Sequence, residues 1–371
     1  MKLRSLSLAL VIAAAPVVAQ AFDKANAPVP AATVALMKAK DMAPAAPVLL
    51  RSYKKEAVIE VWKQTRTGRY SLLKSFPICR WSGQLGPKRR TGDRQTPEGF
   101  YAVAQKQLNP NSNYYLSFDV GYPNAYDRAH GGTGAYLMVH GTCSSAGCYA
   151  MTDKQVGEIY ALVRDALAAG QPAFQFQAYP FRMTAENLAK HRSDDNYDFW
   201  RQLKDGSDRF EATGEEPVVS VSAGRYVFAS RTSDAEAKAG ERIKAEKERV
   251  ATLVSDGIVS LRTTYSDGGQ NAIFSALLQK GENLGDVSRP EALAYAGKEV
   301  IVVPARKPAP KPVMVALAEP ALPPGVIADV PHTMTLAPIA GGLPMLATGL
   351  APVPAGAPLV VSLVKVRADP L

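Results

Sequence analysis

The chain has 371 residues, 47% of them hydrophobic, and a formal net charge of +9 from 43 Lys and Arg against 34 Asp and Glu. This composition is ordinary for a globular protein with a sizeable core, and the length leaves room for one large or two small domains. Beyond the N-terminal region no stretch is long and apolar enough for a membrane helix, which excludes a multi-span membrane protein. The mild basic excess would suit an anionic polymer, a nucleic acid or a membrane surface, so it does not distinguish these partners.

The N-terminal residues have the pattern of a secretory signal peptide. Lys2 and Arg4 precede the apolar stretch 6–18, which is too short to span a bilayer, and a small-x-small cleavage site follows at 19–21. We therefore assign residues 1–21 to a signal peptide, with a retained signal anchor as the alternative. The mature chain is then expected in the periplasm, an oxidising compartment, with no membrane span after signal removal.

The next part of the chain predicts a linker and then a set of strands. Residues 22–47 are rich in Ala and Pro and indicate a linker with one short helix near 32–40. Apolar and alternating segments follow, and Thr67-Gly68 marks the turn of a hairpin between two of them. The predicted strands are 47–51, 57–62 and 70–76.

A long loop, residues 81–99, is rich in Gly, Pro and charge. It ends in the turn Thr96-Pro97-Glu98-Gly99, which leads into a predicted strand at 100–103. The basic residues of this loop predict either a solvated face or a surface that meets carboxylates of a ligand. They are Lys88, Arg89, Arg90 and Arg94.

Two further strands lead to the most informative part of the chain. A predicted strand at 114–120 is followed by an aromatic and charged loop, residues 122–131, whose Arg128 is a candidate substrate-binding residue. The apolar run 135–139 then predicts a strand that ends directly before His140.

The segment from His140 to Asp153 carries the residues of a nucleophilic site. Residues 140–148 read His-Gly-Thr-Cys-Ser-Ser-Ala-Gly-Cys, and Thr152 with Gln155 forms a capping box that predicts a helix from Asp153. A thiol near a helix N-terminus is expected to favour its thiolate. A histidine within reach can take the proton of Cys148 and return it later. The pattern is typical of a cysteine acyl-transfer enzyme.

Neighbouring residues predict the rest of this site. Gly147 allows the backbone to approach a bound carbonyl, and its amide with that of Cys148 would hold a developing oxyanion. Ser145 is a further candidate at this position. His130 is a rival general base because it too precedes a glycine, but His140 follows an apolar strand whereas His130 lies in a polar loop. His191 and His332 lack such a setting and are expected at the surface.

The order of these motifs resembles a known family. His140-Gly141 followed by Ser145-Ala146-Gly147-Cys148 is similar to the YkuD-type L,D-transpeptidase signature, and Gly-Cys-Tyr-Ala-Met-Thr-Asp before a helix resembles its YafK-like branch. The Thr-Pro-Glu-Gly turn is another feature of the family. Two positions depart from the broader signature, because Ala146 and Ala150 stand where His and Arg are usual. The loop from His140 to Cys148 is also short, and the YafK-like branch shares all three features.

The resemblance, which covers about Pro28 to about Phe210, has implications for fold and activity. It implies a mostly β, α+β fold: the YkuD-type β-sandwich with flanking helices. It implies that Cys148 is the nucleophile and His140 the base, and that the Gly141 carbonyl orients His140. The substrate would be peptidoglycan (murein), with an amine acceptor in transpeptidation or water in hydrolysis. The YafK-like branch is associated with detaching a murein-bound lipoprotein from the stem peptide.

The three cysteines, Cys79, Cys143 and Cys148, permit one disulfide in an exported protein. If Cys148 must remain a thiol, Cys79 and Cys143 are the natural pair. Two buried thiols, or a redox pair of Cys143 and Cys148, remain open because sequence alone cannot give the distances.

We divide the chain into a signal peptide (1–21), a linker (22–47), a catalytic domain (48–215), a mixed α/β appendage (216–303) and a tail (304–371). The tail is rich in Pro and Ala and is expected to be disordered. Since the resemblance ends near Phe210, we expect a chain that ends after Glu216 to fold and to react.

Two other functional classes remain open from the residues. One is a catalytically inactive murein-binding module, against which the intact His140 and Cys148 count. The other is a thiol redox protein, but Cys143 and Cys148 do not have the C-x-x-C spacing of that class. No His and Cys set has the spacing of metal ligands, so neither a metal nor another cofactor is expected, and no nucleic acid is expected as a partner.

Overall fold

A computed structural model describes residues 23–285, 287–293, 297–302 and 360–362. The predicted signal peptide, nearly all of the predicted tail and His332 lie outside these residues. The described helices are α1 (Ala31–Ala39), α2 (Ala125–Ala129), α3 (Asp153–Ala168), α4 (Ala185–Lys190), α5 (Tyr197–Thr213), α6 (Ser233–Ser255), α7 (Ala272–Gln279) and α8 (Pro290–Leu293), with a 3-10 helix at Gln105–Gln107. The described strands are β1 (Val48–Tyr53), β2 (Val58–Gln64), β3 (Tyr70–Pro77), β4 (Gly99–Val103), β5 (Leu108–Asn109), β6 (Ser117–Asp119), β7 (Met138–His140), β8 (Tyr149–Ala150), β9 (Phe174–Tyr179), β10 (Val218–Ser222), β11 (Arg225–Ala229), β12 (Leu261–Thr264), β13 (Lys298–Val302) and β14 (Val360–Ser362).

Two sheets face each other across one core. The larger sheet has the strand order β3-β2-β1-β9-β4, and the smaller has the order β5-β6-β7-β8. Phe118 of the smaller sheet meets Phe174 edge to face at 5.6 Å, and Tyr149 meets Phe176 at 5.4 Å. The predicted α+β fold is confirmed, although more of the described residues lie in helices than in strands.

Strand β9 lies inside the larger sheet, although it follows the other four of its strands along the chain. It pairs parallel with β1 and antiparallel with β4. Its fully buried side chains therefore contact both neighbours and the opposite sheet. In the smaller sheet, β7 lies between β6 and β8, pairing antiparallel with the first and parallel with the second. This pairing brings His140, the last residue of β7, beside Ala150 and hence near Cys148.

The predicted helix after the glycine-rich turn forms α3. Thr152 Oγ1 accepts the Gln155 N–H at 3.3 Å, and Gln155 Oε1 accepts the Thr152 N–H at 3.1 Å, so the capping box is present. The apolar face of α3, including Val156, Ile159 and Val163, is fully buried in the core. The cap and this buried face hold the N-terminus of α3 against the turn that carries Cys148.

The described part of the predicted linker, residues 23–47, packs into the core, so the interpretation of this part as a linker is corrected. It contains α1, close to the predicted helix, and Met37 and Met42 are buried in the main hydrophobic cluster. Thr33 donates a hydrogen bond to Glu158 of α3, and Lys63 Nζ donates to the Pro44 carbonyl at 3.0 Å. The high Ala and Pro content concealed these apolar anchors, because two methionines alone give no helical periodicity.

The segment after residue 216 packs closely on the preceding part of the chain. Tyr226 of β11 stacks on Tyr126 with ring centroids 4.6 Å apart, and Lys204 of α5 forms an ion pair with Glu246 of α6 at 2.8 Å. Trp81 is fully buried and exchanges two backbone hydrogen bonds of 3.0 Å with Gly269. The described residues up to Ile301 form one compact unit, without a division at 215.

We therefore expect a chain that ends after Glu216 to be insoluble or strongly destabilised, contrary to the expectation from sequence. Truncation would expose Trp81 and the face of Tyr126 that packs on Tyr226, and it would remove Glu246 from the buried ion pair that Lys204 also forms with Asp208. Apolar surface returned to water costs about 25 cal/mol per Å². Thermal unfolding and solubility measurements check this result. A chain that ends after Val302 keeps these contacts and serves as the control. A Glu216 truncation that unfolds at the wild-type temperature would contradict the expectation.

Candidate active site

His140 is buried at the end of β7, with 3% of its surface exposed. Its Nδ1 lies 2.5 Å from the carbonyl oxygen of Gly141. Since a carbonyl only accepts, Nδ1 carries the proton, and Nε2 keeps its lone pair in the neutral ring. The Tyr114 ring packs against the imidazole with centroids 4.8 Å apart. These contacts orient the ring and leave Nε2 as the basic atom.

Cys148 lies in the turn between β7 and β8 and is partly exposed. Its Sγ accepts the Met138 N–H at 3.4 Å and lies 3.9 Å from the Tyr136 carbonyl oxygen. Cys148 and His140 both line one cavity of about 250 Å³. Within the described residues no direct hydrogen bond joins the two side chains, as is common for catalytic pairs before a substrate binds.

Burial favours the neutral forms of both side chains. It raises the pKa of the Cys148 thiol above its ordinary 9.0; the Asp119 carboxylate adds to the effect, while the Met138 N–H and Lys88 oppose it. Burial also lowers the pKa of His140 below 6.5, and the hydrogen bond to Gly141 opposes this shift. The expected thiolate at a helix N-terminus is therefore not the resting form. Along the chain, strand β8 lies between Cys148 and the first turn of α3.

The direction of these shifts predicts the pH dependence of thiol reactivity. Only the thiolate reacts with iodoacetamide, so a raised pKa means that alkylation of Cys148 remains slow at neutral pH and rises through a midpoint above 9.0. Alkylation rates of the folded protein between pH 6 and pH 11 measure this midpoint, with the denatured chain as reference. A midpoint below that of the denatured chain would instead indicate a preformed thiolate–imidazolium pair.

Gly141 occupies a position where a side chain does not fit. A Cβ there would lie 2.5 Å from Asp153 Oδ1 and 2.9 Å from the Tyr114 carbonyl oxygen. The same Asp153 oxygen accepts the Thr142 N–H at 3.0 Å. The predicted orienting role of the Gly141 carbonyl agrees with the contact to His140 Nδ1. Asp153 thus links the N-terminus of α3 to the residues that follow the histidine.

Ser145 is buried and holds the backbone of the turn. Its Oγ accepts the N–H groups of Gly147 at 3.3 Å and Cys148 at 3.1 Å, and donates to the Cys148 carbonyl at 2.7 Å. The two amides predicted to hold an oxyanion are thus engaged by Ser145. An oxyanion at Cys148 would share these two N–H groups with Ser145 Oγ. Gly147 has φ +134°, a backbone conformation that favours glycine, and this conformation explains why a glycine occupies the position.

The other predicted positions lie away from the cavity. Arg128 is exposed, bonds the Pro123 carbonyl and lines a different cavity, so its candidacy for the substrate site is corrected. His130 stacks on Tyr126 at 4.1 Å, and its Nδ1 bonds the Tyr126 carbonyl at 2.9 Å. The loop that carries Arg128 and His130 contains α2, which is five residues long. A helix of this length gives no periodic signal, so the sequence did not indicate where these two side chains lie.

His191 is not at the surface, and that expectation is wrong. It is fully buried, stacked on Phe181 at 4.4 Å and hydrogen-bonded to Thr263 Oγ1 at 3.1 Å. Burial lowers its pKa. Its partner comes from β12, 72 residues further along the chain, which no local pattern indicates.

Further side chains line the cavity, among them those of Lys88, Tyr114 and Tyr136. Lys88 is buried rather than solvated, with Nζ 2.5 Å from Asp93 Oδ1. Tyr114 and Tyr136 are 50% and 75% exposed at the cavity, so they offer aromatic surface at its entrance.

The structure joins Cys79 and Cys143 in a disulfide and leaves Cys148 free. This pairing is one of those that the sequence left open. Phe274 of α7 packs on the disulfide in a small hydrophobic cluster. The disulfide therefore connects the chain just before Arg80 with the turn that carries Cys148.

Within the described residues, no group of three or more His, Cys, Asp or Glu side chains is placed to hold a metal ion. Among the described helices, none is both long and apolar enough to cross a membrane.

Residues 44–208 match the L,D-transpeptidase catalytic domain family, YkuD. Two Escherichia coli proteins, from strain K12 and from O157:H7, are each named "Putative L,D-transpeptidase YafK". Each is 49% identical to this chain over 187 residues, which cover 50% of this chain and 76% of the relative. A solved structure, the helical cell shape determining protein Pgp2 of Campylobacter jejuni, is 14% identical with a TM-score of 0.29 and covers 62% of this chain and 80% of Pgp2. Because this TM-score is low, nothing about the fold or activity is inferred from Pgp2.

Proposed function

The chain belongs to the YkuD family of L,D-transpeptidases, enzymes that act on peptidoglycan, and we propose that it hydrolyses the link between diaminopimelate and a murein-bound lipoprotein. Cys148 is the nucleophile and His140 the general base. The observation that carries the proposal is the shared cavity of about 250 Å³, into which both side chains open.

The proposed reaction uses the neutral resting pair. A stem peptide binds with a carbonyl carbon on the L-centre side of an L,D or L-meso bond near Sγ. His140 Nε2 takes the thiol proton as Sγ attacks, and a tetrahedral oxyanion forms. Collapse of this intermediate breaks the C–N bond, and the leaving amine takes the proton from His140. A thioester to Cys148 remains.

The acceptor decides between hydrolysis and cross-linking. In hydrolysis, water gives a proton to His140 and attacks the thioester, which releases the carboxylic acid and restores the thiol. The residues at the two positions where the family usually has His and Arg support hydrolysis. Ala146 is exposed and offers only a methyl group, and Ala150 is fully buried. Lys88 is the cation at the cavity, and Asp93 neutralises it. Fewer groups are therefore present to position an acceptor amine.

The location and the domain limits also form part of the proposal. A periplasmic protein with a signal peptide at 1–21 would meet murein and murein-bound lipoprotein in the same compartment. The disulfide of Cys79 and Cys143 supports export, because such bonds persist in oxidising compartments. We propose that residues 48–215 carry the catalytic machinery and that residues 23–47 and 216–301 complete its fold.

The test offers lipoprotein-linked murein and free tetrapeptide stems together and analyses the products by mass spectrometry. We expect released lipoprotein, with Cys148→Ala as the inactive control. The alternative is the transpeptidase activity that the family description names. New cross-links between two diaminopimelates without any release would favour that alternative and overturn the proposal.

A further inference from the structure

We infer that Ser288 and Asp267, both beyond the matched catalytic region 44–208, are positioning residues that hold the Cys148 turn in its reactive geometry. The inference rests on the proposed role of Cys148 as the nucleophile. Two sets of contacts carry it, and both converge on Ser145.

Ser288 clamps both backbone groups of Ser145. The Ser145 N–H donates to Ser288 Oγ at 2.9 Å, and the Ser288 hydroxyl donates to the Ser145 carbonyl at 2.9 Å. The Ser288 carbonyl in turn accepts from Arg80 Nε at 3.1 Å. Arg80 is fully buried and directly follows Cys79 of the disulfide. Its bond therefore anchors the Ser288 backbone to the core, while the Ser288 hydroxyl binds Ser145.

Asp267 acts on the same residue through Arg94. Arg94 Nη2 lies 2.6 Å from Asp267 Oδ2 and also donates to the Ser145 carbonyl at 3.1 Å. Asp267 is 3% exposed and also accepts the Gly83 N–H at 3.2 Å. The hydrogen bonds from Arg94 and Gly83 lower its pKa despite its burial, so the carboxylate stays charged and holds the guanidinium.

Ser145 transmits these contacts to the nucleophile. Its Oγ binds the N–H and carbonyl of Cys148 and the N–H of Gly147, so its position sets the backbone from which Sγ projects. A small displacement of a nucleophile from its line of attack lowers the rate far more than it lowers binding. Asp267 and Ser288 therefore help to position the Cys148 side chain, although both lie beyond residue 208.

The experiment compares Ser288→Ala, Ser288→Thr and Ser260→Ala in the full chain. Ser260 is a matched control: it is a buried serine of the same segment, and its hydroxyl bonds Ser193 Oγ at 2.8 Å, away from the Cys148 turn. Two quantities are measured for each variant: kcat and KM for lipoprotein release, and the pH midpoint of Cys148 alkylation by iodoacetamide. Asp267→Asn is a second variant that tests the contact through Arg94.

For Ser288→Ala we expect kcat to fall about tenfold with KM little changed. The alkylation midpoint should move down toward that of an ordinary thiol, because a loosened turn admits water to Sγ. Ser288→Thr keeps the hydroxyl and should restore both values, Asp267→Asn should shift both in the same direction as Ser288→Ala, and Ser260→Ala should match the wild type.

Wild-type kcat and midpoint in both Ser288→Ala and Asp267→Asn would overturn the inference, as would an equal loss in Ser260→Ala. The alkylation measurement needs no murein. A shifted midpoint in a protein that releases no lipoprotein would sustain this inference and refute the proposed function. An unshifted midpoint in a protein that does release lipoprotein would refute the inference alone.

Discussion

Replacing Cys148 by alanine or by serine is expected to abolish murein turnover and to leave the fold intact. Alanine removes the attacking atom, and the serine hydroxyl is far less acidic than a thiol, so His140 could not ionise it to a comparable extent. The fold should survive because, among the described residues, the polar contacts of the Cys148 side chain are limited to the Met138 N–H and the Tyr136 carbonyl.

Product release and thermal unfolding, measured on the same samples, check this result. Ser144→Ala is the matched control, because Ser144 lines the same cavity in the same turn and has no proposed chemical role. We expect that variant to retain most of the activity. Turnover near the wild-type rate in Cys148→Ala or Cys148→Ser would show that another group is the nucleophile.

His140→Ala should lower turnover by on the order of a hundredfold or more, the usual effect of removing a general base. His130→Ala should have a mild effect, because His130 packs on Tyr126 and lines a different cavity. Rates for both variants, with His140→Gln as a variant that keeps a polar side chain without a base, separate proton transfer from packing. Partial rescue of His140→Ala by added imidazole would support the role of base.

The pH dependence of the activity provides a second test of His140 as the general base. Since burial lowers the pKa of His140 below 6.5, the neutral base persists to lower pH than a free imidazole, and wild-type activity should fall only below that value. This fall should be absent from the residual activity of His140→Ala. A larger loss in His130→Ala than in His140→Ala would make His130 the base and overturn the assignment.

The general outline of the fold followed from local patterns. Strands β1, β2, β3 and β4 lie within two residues of their predicted limits, and α3 begins at the predicted cap. Such features depend on neighbouring residues, through alternation, turn residues and capping side chains. The segment 22–47 and the residues after 216 were misjudged because composition alone does not show which of their side chains are buried.

The sequence by itself determined that His140 lies at the end of a strand and that a capped helix follows Cys148. It also determined that the motifs have the order found in L,D-transpeptidases. Each of these features depends on residues close together in the chain. Only the tertiary structure decided the charge state of the pair, since burial by distant elements sets both pKa values. It also placed Arg128 outside the cavity and His191 in the core. The contact of Ser288 with Ser145 joins residues 143 positions apart, and a separation of that length leaves no periodicity or spacing from which it could be read.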